Sequence, residues 1–162
     1  MNITAKSRYA LKVMMDLALN LENGTCTRHD IARRQNLPLD YMDQIISRLK
    51  GCDLVKTTRG RSGGLILASD PKDITLWDIF SGVEDQIFAV ACMDAQSGCA
   101  VEIDCLSKDV WERVYAGFQR HLKSLVLSEL VGDKSLPVSD LNAPQVIECP
   151  APKKTNFQQR NR

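Results

Sequence analysis

Three cysteines fall within fourteen residues, at Cys92, Cys99 and Cys105, in the stretch CMDAQSGCAVEIDC. Their spacing is C-x6-C-x5-C. Thiolates are soft donors, and several drawn to one point make a soft metal site. The intervening residues are small, polar or acidic, and a glycine precedes Cys99. That composition predicts a flexible loop rather than a core strand. Cysteine used only as a small hydrophobe belongs in a core, and a polar loop offers it no such place. A second chemistry open to the same residues is a thiol switch, with Cys99 and Cys105 forming a disulfide without metal. Cys26, Cys52 and Cys149 stand apart from this cluster and are not read as ligands.

The chain has 162 residues, 44% hydrophobic and 25% charged, which fits one soluble domain of moderate size or a small domain with an appendage. No stretch approaches the roughly 20 apolar residues of a membrane span. The opening MNITAKSRYALKV lacks the apolar run and cleavage site of a signal peptide. The expected location is the cytoplasm, where clustered cysteines serve as ligands or redox sensors. There is no C-x-x-C pair, no nucleotide-binding loop and no histidine close to the cysteines, so the chain does not read as an enzyme. Charge is uneven. Residues 1–62 hold eleven Lys and Arg against six Asp and Glu, and residues 63–162 hold ten against fourteen. A front half of +5 suits a polyanion partner, and a back half of −4 does not.

The elements that must position the loop are mainly helical. Thr4 can cap a first helix running to about Leu21, with Tyr9, Ala10, Val13, Met14, Leu17 and Ala18 on its apolar face. Thr27 opens a second helix over residues 28–35, with Ile31 and Ala32 inward. Asn36-Leu37-Pro38 is a tight break. A third helix runs from about residue 39 to 51, with Tyr41, Ile45, Ile46 and Leu49 as its expected buried side. Two short helices joined by a turn form a helix-turn-helix, whose second helix enters the DNA major groove. Residues 54–58 and 64–68 read as strands, and between them lies the glycine-rich turn RGRSGG with Arg59 and Arg61. This is a β-hairpin wing whose arginines suit phosphates or a narrow minor groove. Thr75 caps another short helix. From Ser107, Val110, Trp111, Val114, Phe118, His121, Leu122 and Leu125 form a long stripe that needs a partner. A second copy of the same helix is the simplest one, so a two-fold homodimer is expected. The expected fold is mainly α with a small β-hairpin wing: a winged helix-turn-helix domain over 1–82, a cysteine loop over 83–106, and a dimerisation helix with a short terminal helix over 107–132. Residues 133–162, polar and proline-bearing, are expected to be disordered.

These parts, in this order, resemble the IscR-type winged-helix regulators, which include iron–sulfur, iron and nitric-oxide sensors. The segments that carry the resemblance are SRYALKVMMDLALN, DIARRQNLPLDYMDQIISRLK, LVKTTRGRSGG, the three cysteines and LSELV, spread over about residues 1–132. The resemblance implies a homodimeric, DNA-binding transcription factor, in its nearest branch a repressor of iron–sulfur assembly genes. It implies cluster ligation by Cys92, Cys99 and Cys105, with [2Fe-2S] favoured over [4Fe-4S]. It places Asp40, Asp43 and Gln44 against base edges and Arg59 in the minor groove. Lys6, Arg8, Arg28, Arg33 and Arg61 are phosphate candidates on charge and position alone. An iron or nitric-oxide sensor with a [4Fe-4S] cluster is the alternative within the class. The chain departs from the nearest branch where a ligating histidine is expected three residues after the last cysteine, because that position is Lys108. The first two cysteines are also one residue further apart than in that branch. Asp104, Ser107, Asp109, a residue of a second subunit or solvent are the candidates for the fourth ligand. His121 reads as a core or interface residue.

Overall fold

A computed structural model of the protein describes residues 3–59, 63–87 and 107–132. Arg61, the three clustered cysteines, Asp104, Cys149 and the polar tail lie outside the described residues.

Helix α1 (Ala5–Leu19) starts where the Thr4 hydroxyl accepts the Lys6 amide, at the expected cap. Ala10, Val13, Met14 and Leu17 are buried along one face. Ser7 and Asp16 are buried on the same helix, which apolar periodicity alone does not foresee. Helix α2 (Arg28–Gln35) is capped by Thr27, whose hydroxyl accepts the Asp30 amide. A helix of eight residues does not hold itself together in water, so tertiary contacts must fix it. Ile31 and Ala32 supply the apolar part of that contact. Asn36 then turns the chain in the left-handed region at φ 50°, a conformation that asparagine tolerates, and Pro38 leads into α3 (Leu39–Gly51).

The buried side of α3 is Met42, Ile45 and Leu49, with Ile46 packed beside them. Tyr41, expected inside, is instead 40% exposed. The reason is register: Met42, Ile45, Ile46 and Leu49 follow the i, i+3, i+4, i+7 rule of one helix face, and Tyr41 sits one position off it. Its ring meets Tyr9 of α1 edge-on at 5.6 Å.

Strands β1 (Val55–Thr58) and β2 (Gly64–Leu67) pair antiparallel, with Val55 opposite Leu67 and Thr58 opposite Gly64. The hairpin is anchored through β2, near its turn end. The Cys26 amide donates to the Leu65 carbonyl at 3.0 Å, and the Leu65 amide donates to the Cys26 carbonyl at 2.8 Å. A Cβ on Gly64 would stand 2.8 Å from the Cys26 carbonyl oxygen, so only glycine permits this approach.

Helix α4 (Leu76–Val83) opens with a capping box in which Thr75 and Asp78 satisfy each other's amides. Helices α5 (Lys108–Ser124) and α6 (Leu127–Gly132) end the described chain. The Leu76 amide donates to the Leu125 carbonyl and the Leu127 amide to the Ile74 carbonyl, both at 2.8 Å. These bonds stitch the approach to α4 onto the α5–α6 turn. Leu122 and Leu127 consequently share one core with Met14, Leu49 and Ile79.

Asp16 is the buried charge of this core, 2% exposed. Its carboxylate accepts from Arg34 Nε at 3.0 Å, Arg34 Nη2 at 2.5 Å and Gln35 Nε2 at 3.0 Å. The bond to Asp16 holds the Arg34 guanidinium firmly in its charged form. Asp16 is buried while Arg34 is 36% exposed, so removing Arg34 leaves a buried carboxylate without its cation. Arg34→Ala is expected to destabilise the protein by about 2 kcal/mol in urea unfolding, between the worth of an exposed and of a buried pair. A loss below about 1 kcal/mol, the worth of an exposed pair, would show that the contact does not pin α2.

Candidate nucleic-acid interface

The exposed face of α3 carries Asp40, Asp43 and Gln44, at positions i, i+3 and i+4 opposite the buried stripe. Arg28, the first residue of α2, reaches across to this face. Its Nη1 donates to Asp43 Oδ1 at 2.6 Å and Oδ2 at 2.8 Å. The two side chains are 50% and 62% exposed, so the pair contributes at most about 1 kcal/mol to stability. That sets it apart from Arg34, which leaves the same helix inward toward Asp16. Arg33 is exposed and lies 3.4 Å from Asp30. Arg8 lies 6.0 Å from the Tyr9 ring centroid. Leu39 and Tyr41, exposed at the start of α3, join this surface. For Tyr41 the available signal was its place one position off the buried stripe; Leu39, three before Met42 and seven before Ile46, is in register with that stripe and is exposed as the first residue of the helix.

The wing follows α3 in the chain and is bonded to Cys26 ahead of α2. Arg59 follows β1 and is exposed. The Thr58 hydroxyl accepts the Gly64 amide at 3.2 Å and closes the hairpin just below its tip.

A second group of contacts, unforeseen from sequence, surrounds Glu84 and Asp85, between α4 and the cysteine stretch. The hydroxyls of Thr4 and Ser7 both donate to Glu84 Oε1, the latter at 2.6 Å. Burial pushes the Glu84 carboxyl up, but the bonds from Ser7 and Thr4 more than offset this and hold it below the ordinary glutamate value. Arg48 of α3 donates through Nη1 to the Val83 carbonyl at 2.8 Å and to Asp85 Oδ1 at 3.0 Å. The Arg48 bond also lowers the Asp85 carboxyl, and Lys6 lies 3.7 Å from it. The start of α1 and the end of α3 are thus both tied to residues 83–85. Uncharged signals, a Thr and a Ser one turn apart, gave no hint of this from sequence.

The remaining cysteines are engaged elsewhere. Cys26 is buried and its sulfur accepts from Arg34 Nη2 at 3.4 Å. Cys52 donates to the Arg48 carbonyl at 2.8 Å, and burial pushes its thiol up, away from the reactive thiolate. Among the described residues no group of three or more His, Cys, Asp or Glu could hold a metal ion. Ser107 and Asp109 sit exposed at the start of α5, next to Lys108. His29 and His121 are both exposed on the single chain, so of the two places expected for His121, core or interface, the core of this chain is not the one. The α5 stripe divides: Leu122 is buried, Phe118 is half-buried, and Val110 and Val114 are 57% and 47% exposed.

A helix-turn-helix with a polar outer face, followed directly by a basic hairpin, defines a winged-helix transcriptional regulator that binds DNA. Residues 3–133 match the family model for Rrf2, described as an iron-dependent transcriptional regulator, and the chain belongs to that family. It is 36% identical over 141 residues to the HTH-type transcriptional regulator IscR of Cronobacter sakazakii, covering 86% of each chain. It is 34% identical over 136 residues to IscR of Escherichia coli O1:K1, covering 84% of this chain and 83% of that one. Among solved structures, T. potens IscR superposes with a TM-score of 0.67 at 31% identity, covering 82% of this chain and 88% of that one. CymR, the global cysteine regulator of B. subtilis, superposes with a TM-score of 0.69 at 30% identity, covering 82% and 97%. These relatives are named as transcriptional regulators, and the family is not one of enzymes. No helix among the described residues is long and apolar enough to cross a membrane.

Because the folded-state pKa of Glu84 is lowered, its share of stability is complete above the ordinary glutamate value of about 4.3. It is lost as pH falls through the lower folded value. Glu84→Gln is therefore expected to flatten the acid limb of stability against pH, read from urea midpoints. An unchanged limb would count against the Thr4–Ser7–Glu84 contact.

Proposed function

We propose that the chain is a cytoplasmic, homodimeric repressor of iron–sulfur assembly genes whose operator binding follows the state of an iron–sulfur cluster. What carries this reading is the donor set. A chain of the Rrf2 family keeps three cysteines within one short stretch, while Cys26 and Cys52 are engaged in the core and at the end of α3. Cys92, Cys99 and Cys105 would hold the cluster, and Asp104, Ser107 or Asp109 would supply an oxygen where the resemblance expects a histidine. When bound, the cluster supplies a soft iron centre that responds to iron, oxygen or nitric oxide. We take [2Fe-2S] as its form; a [4Fe-4S] cluster would mark an iron or nitric-oxide sensor instead.

The chain's own residues do the rest. Asp40, Asp43 and Gln44 face base edges, and a carboxylate can accept from cytosine N4. Lys6, Arg8, Arg28, Arg33 and Arg61 would meet phosphates, and Arg59 of the wing would take the minor groove. Arg48 joins the end of α3 to Val83 and Asp85, so a shift in the segment that follows bears directly on the reading helix. Val110, Trp111 and Val114 leave an apolar stripe on α5 for a second copy of the chain.

Anaerobically purified protein should contain iron and acid-labile sulfide and absorb in the visible. Cys92→Ala should lose that absorbance while retaining duplex binding. Wild-type protein without iron and sulfide overturns the cluster reading. A difference in DNA binding between oxidised and reduced metal-free protein would then favour the thiol switch. For the dimer, Val114→Asp should shift sedimentation from two chains to one, and a wild-type monomer would refute the seam on α5.

A further inference from the structure

The geometry points to Arg28 and Asp43 reading one G·C base pair together, as a single specificity unit. This rests on the DNA-binding reading above. Arg28 by itself resembles an ordinary phosphate ligand at the start of a helix that crosses the backbone. Its guanidinium, however, lies against Asp43, on the face of α3 that carries Asp40 and Gln44. The carboxylate draws the arginine from the backbone side toward the base-facing side.

The pairing also changes what Asp43 does. A lone carboxylate at the front of a recognition helix repels the polyanion. With Arg28 at 2.6 Å, the couple carries no net charge and presents donors and acceptors side by side. Of the five N–H donors of a guanidinium, those on Nη1 serve Asp43, and those on Nη2 and Nε are not used by the pair. Each carboxylate oxygen keeps a further lone pair. In the major groove guanine offers the adjacent acceptors O6 and N7, and its partner cytosine offers the N4 donor. An arginine fork matches the first and a carboxylate matches the second. An A·T pair interposes the adenine N6 donor between its acceptors and cannot meet the fork in the same way. Half-exposure of both side chains leaves the couple open to a duplex. Arg34 on the same helix shows the contrast, since its partner Asp16 is buried and unavailable to any ligand.

The test uses the full-length, anaerobically purified chain and a pool of random-sequence duplexes. Wild type should enrich a site containing a G·C pair whose replacement by A·T lowers affinity by about 5-fold to 150-fold, the usual worth of one good base contact. Arg28→Ala and Asp43→Ala should each reduce that penalty to about 2-fold, at the same position. The double variant should lose no more than either single one. Arg28→Lys keeps the charge but not the fork, so it should retain bulk duplex affinity and lose the preference. A preference that survives Arg28→Ala, or single variants that relax different positions, overturns the couple while leaving DNA binding intact. A wild-type chain that enriches no sequence overturns the DNA-binding reading itself and the couple with it. Circular dichroism of each variant excludes loss of fold as the cause.

Discussion

Asp16 turns inward from α1 and meets the guanidinium of Arg34 and the amide of Gln35 at the end of α2. A buried carboxylate is costly unless its partners are held in place. The end of α2 is therefore bound to one spot on α1. Since α2 has only eight residues, fixing one end fixes the other. The other end is Arg28, which is how a contact in the core comes to decide what lies over Asp43 on the surface. Asn36 sets the angle at which α3 leaves, and α3 inherits a defined relation to α1. One charge in the interior orients the helix-turn-helix.

The second constraint lies at the other end of α3. Arg48 is held by the Val83 carbonyl and Asp85, and Glu84 is held by Thr4 and Ser7. These contacts differ in kind from the Asp16 pin. Asp85 is largely exposed, so its ion pair is weak and screened by salt. The Asp16 pin resists rearrangement and the Asp85 contact does not. The firm pin is on α2, and α3 meets residues 83–85 through the lighter Arg48 contact. That combination suits a protein in which a distant segment influences a reading surface.

Much of the fold was legible in the sequence because its signals were local. Thr4, Thr27 and Thr75 each sit one residue before an apolar periodicity, and each proves to be a cap. The wing announced itself through a glycine-rich turn between two runs that read as strands. Tyr41 was misplaced because a large aromatic next to a buried stripe reads as part of it, and the true face required choosing Met42 by register. The polar contacts were illegible for a different reason. Asp16 with Arg34 spans eighteen positions and Ser7 with Glu84 spans seventy-seven, and no pattern of residue types encodes such partners. The three cysteines, by contrast, were apparent from spacing alone, and the ligand role proposed for them rests on that spacing and on family membership.

The stitch between Ile74 and Leu127 bears on how the chain is made. Leu127 is fully buried, and α6 packs against α1, so the first described helix needs the last described helix to close its core. Contacts so distant in sequence form late and slow folding. At roughly 5–20 residues per second, α1 waits on the order of ten seconds and α4 about half as long or less with apolar faces uncovered. A nascent chain therefore acquires its finished DNA-reading half only after the residues of α5 and α6 have emerged. Translation that stops short of Leu127 leaves an aggregation-prone fragment, not a smaller regulator.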